Sequence, residues 1–121
     1  MKENNRPFVY LACPYWHENP AIREQRFRAV NKVAGILIMR GDIVFSPISH
    51  SHPINETLTQ RPPNTYWVDF DSAYLQHSYK MVVLMIDGWD RSAGIKAEMA
   101  MAKEMGIQTI FVNEDCEMHF R

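Results

Sequence analysis

Apolar residues in this chain follow two alternating patterns. Short, nearly continuous apolar runs mark Phe8–Cys13, Lys80–Ile86 and Ile107–Val112, and a briefer one leads from Asp42 to Phe45. Runs of that length, bounded by glycine or proline, predict strands buried on both faces. Between them the apolar spacing is helical. Phe27, Val30, Ala34 and Leu37 share a face of Pro20–Arg40; Trp67, Phe70, Tyr74 and Leu75 share one of Tyr66–Ser78; Ile95, Met99 and Ala102 share one of Ala93–Met105. Pro20 suits a first helical turn, and Gly41 and Gly106 suit the residue after a last one. Alternating strands and helices predict a single-domain, three-layer α/β sandwich around a parallel, flavodoxin-like sheet. With strand order about 2-1-3-4, a ligand crevice is expected where the ends of strands 1 and 3 diverge.

Two places break the pattern. Ser46–Thr65 holds four prolines and no helical or strand period. It is expected to be an ordered cover over the crevice, bringing His50 and His52 with it. The second break is charge on apolar stripes. Glu98 falls three residues after Ile95 and four before Ala102, and Asp71 falls between Trp67 and Leu75. A buried carboxylate without a partner is costly, so each needs either a structural ion pair or a chemical use. Two acidic groups in one pocket divide labour when their environments separate their pKa values. Glu98, near a helix start, is expected to stay ionised, and Asp71, enclosed by aromatic rings, to hold a proton near neutral pH. That pairing suits displacement at an anomeric carbon.

Composition narrows the field. The chain has 121 residues and a formal net charge of -1, with no basic run, which argues against a nucleic-acid polymer as partner. No apolar run is long enough to span a membrane, and no leader-like segment is read at the start, so a cytoplasmic setting is expected. There Cys13 and Cys116 are expected to be reduced. The eight methionines are scattered at core spacing rather than at ligand spacing. Ser92 reads as a helix N-cap, Gly94 allows a ligand close to the backbone, and free amides at that helix start attract anions. Cys13, Tyr15, Trp16 and Trp89 flank the same crevice.

Three stretches carry a resemblance. Val9-Tyr-Leu-Ala-Cys-Pro-Tyr15, Trp67-Val-Asp-Phe-Asp71 and Ser92-Ala-Gly-Ile-Lys-Ala-Glu-Met-Ala-Met-Ala102 resemble the signature regions of the nucleoside 2-deoxyribosyltransferase superfamily, which includes nucleoside 5'-monophosphate N-glycosidases. Ala12-Cys-Pro-Tyr15, Phe45-Ser-Pro-Ile48, Ser51-His-Pro-Ile54 and Gly88-Trp89 resemble a small bacterial and phage branch of it. The resemblance spans Phe8 to about Val112. It implies that Glu98 attacks C1' of a ribosyl or deoxyribosyl group, that Tyr10 orients Glu98, and that Asp71 assists the departing base. Ser92 matches relatives that use nucleoside monophosphates, where relatives acting on free nucleosides often carry aspartate. The turn Cys13-Pro-Tyr-Trp-His17 departs from the glycine-rich phosphate turn of the N-glycosidases. No cofactor is implied, and a homodimer or larger even assembly is. Met118 and Phe120, apolar in a polar tail, are compatible with a contact between chains.

Two rival readings stand beside this one. A non-catalytic nucleotide sensor would use the same crevice without turnover. A metal-dependent hydrolase would be built on His50 and His52, with His17 nearby, although no cysteine or acidic partner follows at ligand spacing.

Overall fold

The computed structural model describes residues 7–119. Its strands are β1 (Phe8–Ala12), β2 (Val44–Phe45), β3 (Ser78–Leu84), β4 (Gln108–Val112) and β5 (Met118–His119). Its helices are α1 (Pro20–Met39), α2 (Pro47–Asn55), α3 (Asn64–Leu75) and α4 (Ala93–Glu104). The sheet order is β2-β1-β3-β4-β5, parallel from β2 to β4 and antiparallel between β4 and β5. The expected 2-1-3-4 parallel sheet is therefore present, with one strand added at its edge.

Alternation along the strands builds two cores. Val9, Leu11, Val82 and Leu84 face one way and pack with Val30, Val33 and Leu37 of α1. Tyr10, Ala12, Met81 and Val83 face the other way and pack with Leu75 of α3 and with Ile95 and Ala102 of α4. Successive side chains of a strand point to opposite faces, so one apolar run supplies both layers. The result is the three-layer sandwich. Because α1 lies on one face and α3 and α4 on the other, the chain reverses its winding beside β1, and the ends of β1 and β3 open onto a crevice.

Three expectations need correction. Ser46–Thr65 is not without regular structure, because Pro47–Asn55 forms α2. Its start was signalled: the Ser46 side chain accepts a hydrogen bond from the Ser49 amide, and Pro47 occupies the first turn. Pro53 inside the helix hides the pattern, since proline ordinarily breaks a helix interior. The polar tail, for which no element was expected, carries a short strand, because Met118 and His119 pair with Val112 and Phe111. Helix α3 ends at Leu75 and β3 begins at Ser78, so the boundary lies earlier than the apolar spacing implied. Phe120 lies outside the described residues. Among those residues, no helix is long and apolar enough to cross a membrane.

Candidate active site

At the carboxyl ends of β1 and β3 the chain encloses a cavity of about 1030 Å³. Its walls come from both faces of the sheet. The turn after β1 contributes Cys13, Tyr15 and Trp16, and α1 contributes Arg23 and Arg26. Helix α2 and the segment after it contribute Ser51, Asn55 and Arg61, while Asp71 comes from α3 and Ser92, Gly94 and Glu98 from α4. A volume of that size suits a nucleotide-sized ligand.

Glu98 is buried, 8 % exposed, at the floor of this cavity. The Tyr10 hydroxyl, itself fully buried on the adjoining strand, donates a hydrogen bond to its Oε2 atom. Burial raises the Glu98 carboxyl to about 8, and the nearby Asp71 pushes the same way, while the Tyr10 hydrogen bond pulls it down. Burial also raises Asp71 to about 7. The expectation that Glu98 stays ionised through its helix start is overturned. Glu98 is the sixth residue of α4, beyond the first turn in which the free amides act, so desolvation and the neighbouring carboxyl win. The two acids are coupled and hold protons as a pair near neutral pH.

Ser92 caps α4, its hydroxyl accepting from the Ile95 amide at 3.2 Å. At Gly94 an added Cβ would meet only the Ser92 hydroxyl, at 3.7 Å. The fold itself has room for a side chain there, so glycine matters only for what enters the cavity. Gly88 differs: its φ is +92°, and a Cβ would fall 2.6 Å from the Arg26 guanidinium. That guanidinium ties the two loops together, donating to the carbonyls of Trp16 at 3.0 Å and Asp87 at 3.2 Å.

Other expected contacts fall elsewhere. Trp16 lines the cavity, but Arg61 and Arg23 cover its ring, with guanidinium carbons 4.1 Å and 4.9 Å from its centre. Cys13 is buried with its thiol donating to the Pro14 carbonyl, and burial drives its pKa upward, away from a thiolate nucleophile. His50 stacks on Phe70, with ring centres 5.1 Å apart, and does not line the cavity. Nor does His52, which sits behind Tyr15, or Trp89, which packs against Phe111. Both cysteines are free. Among the described residues no group of three histidine, cysteine, aspartate or glutamate side chains is arranged to hold a metal ion. Asn55, Arg61 and Arg91 line the cavity without having been singled out; they lie on segments with no apolar period to place them.

Fold and cavity together define a parallel α/β sandwich of flavodoxin-like architecture, carrying a paired-acid crevice at the carboxyl ends of its strands. The chain belongs to the family described as domain of unknown function DUF1937, whose model matches residues 7–114. No curated protein matches the sequence.

Proposed function

We propose that this protein cleaves or transfers the N-glycosidic bond of a nucleoside or nucleoside 5'-monophosphate. The observation that carries the reading is the buried Glu98 carboxyl, held by the Tyr10 hydroxyl in one cavity with Asp71. The resemblance to nucleoside 2-deoxyribosyltransferases belongs to this proposal and supports it. In the reactive form the pair carries one proton, and it must sit on Asp71. That is the reverse of the order in which burial ranks the two acids; the Tyr10 hydrogen bond, which favours ionised Glu98, works toward that state. Ionised Glu98 attacks C1', the bond from C1' to the base nitrogen breaks, and the electron pair leaves with the base. Asp71 supplies the proton that the departing nitrogen takes. Water, or a second base, then displaces Glu98 from C1' and returns its proton to the pair. Tyr10 fixes the carboxylate oxygen that does not attack. Ser92 and the start of α4 lie where the sugar or its 5' substituent would rest.

The test is incubation of the protein with a panel of nucleosides and their 5'-monophosphates, with and without a second base, followed by chromatography of free bases. Base release that falls roughly 10³-fold or more in Glu98→Gln, and roughly 10²-fold or more in Asp71→Asn, is expected. Ligand binding without release by the wild type would instead identify a sensor. The proposal includes a homodimer or larger even assembly, with no cofactor and no nucleic-acid polymer.

A further inference from the structure

His52 lies on a nine-residue helix near the surface, yet it is only 4 % exposed. Its ring lies tilted against Phe27, with centres 4.4 Å apart, and meets Tyr15 edge-on. Both ring nitrogens are engaged. Nδ1 lies 2.6 Å from the Tyr15 hydroxyl, and Nε2 lies 3.1 Å from Glu24 Oε1. The other Glu24 oxygen lies 2.9 Å from Arg28 Nε.

The partners decide where the protons sit. The His52 hydrogen bond and the Arg28 guanidinium hold the Glu24 carboxyl below its usual range, so it is an anion and only accepts. His52 Nε2 must therefore carry a proton. In a singly protonated ring Nδ1 is then bare, and Tyr15 must donate to it. With its proton committed to His52, the Tyr15 oxygen is left as an acceptor, and Tyr15 lines the cavity together with Arg23 and Asn55. These lie on the α1 and α2 side, whereas Glu98 and Asp71 come from α4 and α3 across the sheet. Arg23 also donates to the His17 carbonyl and covers the Trp16 ring.

We propose that Glu24 and His52 are positioning residues for the reaction proposed above. By committing the Tyr15 proton they leave its oxygen as an acceptor on the cavity wall, beside Arg23 and Asn55. There it is set to take a hydrogen bond from a donor group of the substrate away from the bond that breaks. The identity of that substrate rests on the glycosidic reading; the relay itself does not.

Two measurements test it. Long-range 15N NMR of the histidine rings, with His52 assigned by its loss in His52→Gln, is expected to show Nε2 protonated and Nδ1 bare. A proton on Nδ1, in a singly or doubly protonated ring, overturns the proposal. In steady-state kinetics, Tyr15→Phe and His52→Gln are each expected to raise KM about tenfold, the cost of one hydrogen bond, with kcat within about twofold. The double variant should be no worse than either single, because both break one chain. In His52→Asn the short side chain puts its amide oxygen near the Nδ1 position to accept from Tyr15, where the longer glutamine reaches the Nε2 position beside Glu24. The asparagine should therefore recover most of the loss, which separates positioning from a general folding defect. Additive losses in KM, or a loss confined to kcat, overturn it. Should the wild type release no base, the glycosidic reading falls alone: the ring tautomer, and the weakening of adenosine 5'-monophosphate binding by the same variants in calorimetry, still decide the relay, with unchanged affinity counting against it.

Discussion

At the scale of single residues, Glu98 trades stability for a proton held near neutral pH. Its folded pKa, about 8, stands above the ordinary 4.5. As pH rises past 4.5 the unfolded chain gives up this proton while the folded chain keeps it. Unfolding then releases a proton, so the contribution to stability falls steadily until pH reaches about 8. Glutamine keeps an acceptor for Tyr10 and cannot ionise. Urea unfolding of Glu98→Gln is therefore expected to show a gain on the order of 4 kcal/mol at pH 8 that vanishes toward pH 4. A gain that does not change with pH would contradict this. Tyr10 acts in the opposite sense, since its hydrogen bond lowers the Glu98 pKa. In Tyr10→Phe the acid limb of the pH–rate profile should move to higher pH, because Glu98 then ionises later. Without that move, Tyr10 does not act on the charge of Glu98.

At the scale of elements, two turns carry the site, and their glycines do different work. Gly94 is the second residue of α4, with room for a methyl group as far as the protein is concerned. Alanine is the better helix former by roughly 1 kcal/mol. Gly94→Ala should therefore melt at or above the wild-type temperature while binding a nucleotide more weakly, and calorimetry on one preparation reads both. Equal affinity would place the ligand away from the start of α4. Gly88 has no such latitude, because its left-handed φ of +92° strains any side chain, and a methyl group there would also push the Arg26 guanidinium off its contacts. Gly88→Ala should cost roughly 1–3 kcal/mol in denaturant unfolding, through strain and through loss of the link between the two loops. Helix α2 shows how an element escapes a periodic reading. Its cap and first-turn proline were visible as Ser46 and Pro47, but nine residues carry too few apolar positions to show a period, and Pro53 argues against one.

At the scale of the whole molecule, α3 leaves Tyr66 and Val68 exposed, and the assembly proposed above would need apolar surface of that kind to cover. Sedimentation at micromolar concentration is expected to report a dimer or a larger even assembly; a monomer would remove that part of the proposal. The strand runs, the helical stripes and the order of the sheet were legible in the chain itself, since apolar period and turn residues are local properties and parallel crossovers leave few topologies. The presence of Glu98 and Asp71 on buried stripes was legible in the same way. Their charge was not. Whether a carboxyl keeps its proton depends on the water removed around it and on a second acid brought from another helix, and neither is written within a few residues of it. The same holds for His52, which in the chain is one of two histidines in a proline-rich stretch. Only packing against Phe27, Tyr15 and Glu24, from separate segments, sets its tautomer and turns it from the cavity toward the residues that line it.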